Sequence, residues 1–279
     1  MSSARAGTLY LVSTPIGNLG DMTHRAVEVL SSAALVIAED TRHSRRLLDH
    51  YKISTPLKSY HEHNEAKETP RLVARLGAGD SIALISDAGT PLISDPGSRL
   101  VAAALEANLP VVPIPGASAV MAAIVGSGMP LERFTFLGFL PRKGRERSEM
   151  IADVVASHST VVMFEAANRV GATLDTLADA GAGNRPAVVA RELTKQFEEF
   201  KRGSVAELAG VYKEVDPKGE VVLLIGGAEK LAVSESELRD AARKLRASGN
   251  SPRDVMEHLM SGLGAPRNLA YKLAHEVDS

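Results

Sequence analysis

The segment from Ser86 to Gly97, with the sequence SDAGTPLISDPG, constrains the fold more than any other part of the chain. It follows an apolar run, residues 82–85, that is typical of a strand buried on both faces. Asp95 and Pro96 then predict the start of a helix, with Asp95 as N-cap and Pro96 at the first helical position. A carboxylate, hydroxyls and free amides therefore come together where a strand ends and a helix begins. In open α/β sheets, ligands bind at this edge.

Strands and helices alternate through the first half of the chain. Apolar runs at residues 8–14, 34–38, 81–85 and 111–114 predict strands, and stretches with helical spacing separate them. This β-α-β-α order predicts an α/β fold with a mostly parallel sheet and helices on both faces. Because the carboxyl ends of parallel strands share one edge, we expect four polar segments to meet there: PIGNLGD, EDTRHS, SDAGTP and PGAS.

A second α/β series begins at Phe134 and ends with an apolar strand over residues 221–225. Phe134, Phe136 and Phe139 are predicted to be core residues of this half. From about residue 230 only helical patterns remain. A glycine-containing turn at residues 262–265 predicts a helix-turn-helix arrangement there.

The composition excludes several kinds of site. The chain has 279 residues and no cysteine, which removes disulfides, thiolate nucleophiles and cysteine-zinc sites. His61 and His63 have no further assignable ligand, so no metal is predicted. Neither the dinucleotide fingerprint nor the P-loop motif occurs. No apolar stretch approaches the roughly 18 residues of a membrane span, and the N-terminal segment does not read as a signal peptide, so we expect a cytoplasmic protein.

Basic residues form two clusters although the formal net charge is −2. Contact with a nucleic acid would therefore depend on local patches. One cluster, in the loop after the first strand of the second series, includes Arg142 and Lys143. The other surrounds the first two C-terminal helices and includes Arg243, Lys244, Arg246 and Arg253. Both clusters can equally be read as ordinary solvated faces.

Seven sequence blocks carry a resemblance to a known family. In chain order they are LYLVSTPIGNLGDMTHRAVEVL, AEDTRHSRRLL, LISDAGTPLISDPG, PIPGASAV, FLGFLPRK, ARELTKQFEE and GEVVLLIGG. Together they resemble the ribosomal RNA small subunit methyltransferase I group of the tetrapyrrole-methylase-like superfamily, over roughly residues 7–275. One departure is clear. The family usually reads E-S-P-H-R where this chain has EAANR at residues 165–169, so the missing histidine is not expected to be an indispensable base.

The resemblance implies a two-domain, class III methyltransferase fold with S-adenosyl-L-methionine in the cleft between the domains. It implies α/β domains at residues 1–118 and 119–228, and a helical, helix-turn-helix-like RNA-binding domain at residues 229–279. It also implies a homodimer that methylates the ribose 2′-oxygen of a cytidine in the decoding centre of 16S rRNA, on the assembled small subunit. The cofactor contacts carried over by motif are Pro15, Asp87, Ala88, Gly89, Thr90, Pro91, Ser94, Pro115, Gly116, Phe164, Ala190, Gly219, Glu220 and Val221.

The chemistry of methyl transfer indicates which residues to look for. In-line displacement requires the ribose oxygen to lie about 3–3.5 Å behind the methyl group. A ribose hydroxyl is a weak acid, so a general base or a nearby cation would help. Asp40, Glu165 and Lys195 follow strands that face the expected cleft and are the candidates, although each also has a structural interpretation. Arg42 and Arg191 are candidates for rRNA phosphates.

Two other functions remain open at this point. A tetrapyrrole methylase would share the fold, but the helical C-terminal region and the basic loop argue against it. A non-catalytic ribosome-binding factor would need neither the cofactor nor a base.

Overall fold

The computed structural model describes residues 6–214, 217–229 and 234–276. The chain divides into two compact units, Met1–Ala228 and Glu229–Ser279, which are described separately.

The first unit begins with a five-stranded parallel sheet in the order β3-β2-β4-β1-β5. Its strands are β1 (Leu9–Val12), β2 (Leu35–Ala38), β3 (Leu57–Ser59), β4 (Ile82–Ile85) and β5 (Val111–Ile114). The helices that connect and follow them are α1 (His24–Ser32), α2 (Thr41–His50), α3 (Glu65–Gly77), α4 (Ser98–Glu106) and α5 (Ala119–Ser127). Every residue of β2 and β4 is buried, because separate apolar clusters cover the two faces of the sheet. The predicted parallel sheet is confirmed.

A second five-stranded sheet has the order β6-β7-β10-β8-β9. Its strands are β6 (Phe134–Phe139), β7 (Thr160–Ala166), β8 (Pro186–Arg191), β9 (Glu199–Ser204) and β10 (Glu220–Ile225). Only the β6–β7 pair is parallel. Helices α6 (Arg145–Ala156), α7 (Val170–Leu177) and α8 (Val205–Glu214) cover one face. The other face packs against α5, through Val120, Ala123 and Ile124. Helix α5 follows β5 in the chain and packs on the second sheet, so it connects the two sheets.

Several local predictions are wrong. Helix α4 begins at Ser98, with Gly97 as its N-cap at φ +128°, so Asp95 does not cap it and Pro96 is not its first residue. Helix α3 begins at Glu65, and Pro70 lies inside it. The sequence predicts that this helix begins at Pro70 with Thr69 as its N-cap. The Thr69 hydroxyl instead lies 2.8 Å from the hydroxyl of Tyr60.

Two of the three predicted core phenylalanines are exposed. Phe139 is 57% exposed and Phe134 is 40% exposed, whereas Phe136 is partly buried against the second sheet. Both exposed rings lie on β6, which is an edge strand with neighbours on one side only. Aromatic content alone could not distinguish an edge strand from a central one.

The second unit contains α9 (Glu235–Ala247), α10 (Pro252–Ser261) and α11 (Arg267–Glu276). Ser251 and Pro252 predict the start of a helix that continues to Met260. Capping boxes begin α9 at Ser234 and α10 at Ser251, so that start is confirmed. These helices share a small core that includes Leu238, Leu259 and Leu273. In the parts of the chain that the structure describes, no helix is long and apolar enough to cross a membrane.

Candidate functional site

Four strand ends meet at the carboxyl edge of the first sheet, as predicted. The backbones of Thr14 and Gly89 exchange two hydrogen bonds, of 2.9 and 3.1 Å. The Thr90 hydroxyl donates to the carbonyl of Ala117 at 3.1 Å. The amide of Asp40 donates to the Asp87 carboxylate, also at 3.1 Å. The segments after β1, β2, β4 and β5 are thus joined to each other by hydrogen bonds.

Two glycines permit this close approach. Gly89 has φ +80°, and a Cβ atom there would lie 3.1 Å from the Ile16 side chain. A Cβ atom on Gly116 would lie only 2.8 Å from the Cβ of Ser13. A larger residue at Gly116 would separate the ends of β1 and β5.

A cavity of about 350 Å³ opens between these strand ends and the second sheet. Its size is at the lower end of the range for small-molecule sites. The predicted cofactor residues that line it are Asp87, Ala88, Gly89, Thr90, Ser94, Phe164, Gly219, Glu220 and Val221. Pro15, Pro91, Pro115, Gly116 and Ala190 lie outside its lining. Residues that the sequence reasoning missed also line it: Ile16, Ile93, Asp95, Ser118, Ala119, Val120, Phe139, Ala166, Leu193 and Val222. Most of these are apolar and carry no chemical signal in a sequence.

Strained backbone borders this cavity on both sides. Leu92 and Ser94 have φ of +72° and +69°, and Glu192 and Thr194 have φ of +51° and +65°. Non-glycine residues in this region cost free energy and concentrate at functional sites. The two loops that carry them contribute Ser94 and Leu193 to the cavity wall.

One wall of the cavity is acidic. Burial, followed by repulsion from Glu39, raises the pKa of Asp95 to about 6; a hydrogen bond from Ser86 opposes the rise and the charge of Asp87 adds to it. Burial and the Asp87 charge also raise the pKa of Glu39. Since these carboxylates disfavour one another's charge, the wall favours a cationic ligand.

Asp40, a catalytic candidate, does not line the cavity. Its carboxylate caps α2 and lies 3.0 Å from the guanidinium of Arg42. Hydrogen bonds from the Arg42 side chain and backbone lower the pKa of Asp40 to about 2, which makes it a weak base. Arg42 is 90% exposed.

Lys195 contacts a carboxylate of the cavity wall. Its Nζ lies 2.9 Å from Glu192 and 3.0 Å from Glu220, and Glu220 lines the cavity. Burial acts to lower the pKa of Lys195, but hydrogen bonds to the two carboxylates outweigh it and raise the pKa. Lys195 is therefore protonated at neutral pH and cannot act as a base, although it supplies positive charge.

Glu165, the catalytic candidate that does line the cavity, is held in a buried network. Its carboxylate lies 3.1 Å from the Arg169 Nε and accepts hydrogen bonds from the Thr173 hydroxyl at 2.6 Å and the Ala166 amide at 2.8 Å. Its side chain has no solvent exposure. These contacts give the Glu165 carboxylate a structural partner for each oxygen, so the geometry favours the structural interpretation.

The basic candidates differ in their surroundings. Arg142 and Lys143 are exposed in the loop between β6 and α6. Arg191 is mostly buried, lies 3.1 Å from Glu199 and donates to the carbonyl of Lys218. In the second unit, Arg243, Lys244 and Arg253 are exposed, whereas Arg246 is partly buried and donates to the carbonyl of Asn250.

Comparison with known proteins identifies the family. The family model of tetrapyrrole (corrin/porphyrin) methylases matches residues 8–209. A ribosomal RNA small subunit methyltransferase I of Synechocystis sp. is 47% identical over 98% of this chain and 99% of its own length. The chain belongs to the ribosomal RNA small subunit methyltransferase I family. Another member, from Micromonospora olivasterospora, is 44% identical over 96% of this chain and 87% of its own length.

The family fold is also found in solved structures. A uroporphyrin-III C-methyltransferase from Thermus thermophilus, complexed with S-adenyl homocysteine, superposes with a TM-score of 0.55 at 19% identity. The match covers 79% of this chain and 97% of that one. The predicted tetrapyrrole-methylase-like fold is therefore confirmed.

Proposed function

We propose that this protein transfers a methyl group from S-adenosyl-L-methionine to the ribose 2′-oxygen of a cytidine in the decoding centre of 16S rRNA. The observation that carries the proposal is the full-length similarity to ribosomal RNA small subunit methyltransferases, at 47% identity in one case. We further propose that the substrate is the assembled small subunit, and that the protein acts in the cytoplasm as a homodimer.

The properties of the cavity fit S-adenosyl-L-methionine. Gly89 exposes backbone in the cavity wall without a side chain, and Gly116, outside the lining, permits the close approach of the strand ends that form this wall. Asp87 and Asp95 lie in its lining, and the ligand carries a sulfonium and an ammonium group. Apolar residues such as Ile16 and Phe164 provide a surface for its adenosine moiety. When bound, the cofactor supplies an electrophilic methyl group.

The protein's own contribution is then to hold the ribose oxygen in line and to manage its proton. Lys195, charged and paired with Glu220 on the wall, can stabilise negative charge that develops on the oxygen. Among the cavity carboxylates, Asp95 has a pKa of about 6, which suits proton acceptance near neutral pH. As the base we therefore favour Asp95 over Asp40 and Glu165, whose carboxylates are engaged by Arg42 and Arg169. Lys195 is the candidate for charge stabilisation.

The test is methyl transfer from labelled S-adenosyl-L-methionine to small subunits purified from cells that lack this protein. Alkaline hydrolysis identifies the product, because a 2′-O-methyl group blocks cleavage of the following phosphodiester. We expect one alkali-resistant cytidine, mapped by mass spectrometry. A base-methylated nucleotide would contradict the 2′-O assignment, and methylation of a porphyrinogen acceptor alone would favour the tetrapyrrole alternative.

A further inference from the structure

A second cavity, of about 650 Å³, adjoins the first. The two share Phe139 and Ala166 in their linings, so their occupants would lie side by side. The second cavity continues along the end of β6 and the segment after β7, with Pro141, Arg142, Asn168 and Arg169 in its walls.

Partly buried hydrogen bonds fix one wall of this second cavity. The Arg169 guanidinium donates to the carbonyls of Leu140 and Pro141 at 2.8 and 3.2 Å, and its Nε pairs with Glu165. Arg147 also donates to the Pro141 carbonyl, at 3.1 Å. The backbone that carries Arg142 is therefore held in place before any ligand binds, which lowers the entropic cost of binding.

Other side chains of the second cavity are available to a ligand. Among the residues that the structure describes, the side chains of Arg142 and Asn168 make no hydrogen bond or ion pair, and both are exposed. Phe139 packs against Phe164 at a centroid distance of 5.2 Å, yet 57% of it is exposed at the boundary of the two cavities. The exposed part of this ring is therefore available to a ligand that occupies either cavity.

The side chains of Phe139, Asn168 and Arg142 match the base face, the base edge and the phosphate of an unstacked nucleotide. An aromatic face stacks on a base of any sequence. An amide can both donate to and accept from the edge of a base. A guanidinium pairs with a phosphate. Because the two cavities share Phe139 and Ala166, a base in the second cavity can place its ribose near the first, as methylation of a ribose oxygen requires.

We propose that the second cavity binds the base of the target nucleotide, with Phe139 stacked on its face, Asn168 hydrogen-bonded to its edge and Arg142 on an adjacent phosphate. This inference rests on the proposed function and adds the recognition of the nucleotide to it. The ligand class is a single RNA nucleotide that is not stacked on its neighbours.

The test compares three variants with matched controls on unmethylated small subunits. Asn168→Ala is paired with Asn184→Ala, an exposed asparagine before β8, and Arg142→Gln with Arg145→Gln at the start of α6. Phe139→Leu keeps an apolar wall for the first cavity and is paired with Phe197→Leu, which is 66% exposed and lines neither cavity. We expect Phe139→Leu to lower kcat/KM for the subunit by about 10-fold, as loss of base stacking does elsewhere. Asn168→Ala and Arg142→Gln should lower it by about 5-fold or more, because each removes a hydrogen-bonded contact.

Asn168→Ala and Arg142→Gln, whose residues do not line the first cavity, should leave the Kd for S-adenosyl-L-methionine, measured by calorimetry, within about twofold of wild type. Asn168→His, which keeps a donor and an acceptor, should restore most of the activity lost in Asn168→Ala. Cavity variants as active as their controls, beside a wild type that methylates its subunit, would overturn this inference and leave the proposed function standing. A wild type that transfers no methyl group to the subunit would overturn both.

Discussion

At the scale of single residues, the negative charge of Asp95 lowers the stability of the folded state. It lies in the cavity wall, where burial and repulsion by Glu39 raise its pKa from 3.8 to about 6. The folded state therefore binds more protons than the unfolded state between about pH 4 and pH 6. Stability from this group is greatest below that interval and is lost as the pH rises through it.

We predict that Asp95→Asn stabilises the protein at pH 7.5. The full pKa shift corresponds to about 3 kcal/mol, and solvent screening of this partly exposed group reduces the expected gain to roughly 1–2 kcal/mol. Urea unfolding between pH 4 and pH 8 measures the difference, which should disappear near pH 4. The control is Asp175→Asn, at an exposed position on α7. Parallel stability curves for wild type and Asp95→Asn would refute the prediction.

A second residue-scale prediction concerns Glu165, whose carboxylate is buried with Arg169 and Thr173. Replacing it with glutamine leaves the guanidinium without a compensating charge, and we expect a loss of about 3 kcal/mol in the free energy of unfolding. Glu149→Gln, which removes an exposed pair with Arg145, should cost no more than about 0.5 kcal/mol.

The activity of Glu165→Gln tests the structural interpretation directly. Assayed at a temperature where the variant is folded, it should retain kcat within about tenfold of wild type and the same pH profile, because general-base catalysis typically contributes 10²–10⁴-fold. A larger loss of kcat with a shifted pH profile would return Glu165 to the catalytic candidates.

At the scale of elements, the sequence predicts the first sheet well because four of its five strands are short apolar runs with a polar end; β3, with the sequence LKS, is the exception. The four polar ends meet because parallel strands must bring them to one edge, and Asp87 and Thr90 lie where that rule puts them. The start of α4 was predicted wrongly because Asp95–Pro96 is a common helix start. The positive φ of Gly97, which moves the start to Ser98, is not visible in the residue types.

A prediction at this scale concerns the turn between β5 and α5. Gly116→Ala places a methyl group 2.8 Å from the Cβ of Ser13, which must move the ends of β1 and β5 apart. We expect a stability loss of about 1–2 kcal/mol and an affinity for S-adenosyl-L-methionine about tenfold lower, by calorimetry.

In the control Gly210→Ala, on α8, the new methyl group has no atom within 4 Å. That control should be stabilised by about 0.5–1 kcal/mol and should bind the cofactor normally. Unchanged affinity in Gly116→Ala would show that the spacing of these strand ends does not shape the site.

At the scale of the whole molecule, the sequence predicts the helices and the core of the second unit but not its role. Helical spacing and the Ser251–Pro252 start are enough to predict the helices of the second unit, and its small core of Leu238, Leu259 and Leu273 follows from their apolar faces. Its role cannot be predicted from net charge, because acidic and basic residues balance there. Only their distribution over the surface, with Arg243 and Lys244 exposed on α9, favours a contact with RNA.

We therefore predict that this second unit contributes to rRNA binding and not to cofactor binding. The double substitution Arg243→Gln and Lys244→Gln removes two exposed cations from α9 and should weaken binding to the small subunit most strongly at low salt. The slope of log affinity against log salt should fall in magnitude by about 1.4–1.8, as expected when two phosphate contacts are lost. Lys272→Gln on α11, where the lysine lies 3.4 Å from Glu276, is the control and should change the slope little.

The Kd for S-adenosyl-L-methionine should be the same in wild type, the double variant and the control, since the cavity that fits it is built wholly from residues of the first unit. Equal losses of cofactor and subunit affinity in the double variant would show that the C-terminal helices are not a separate RNA-binding module.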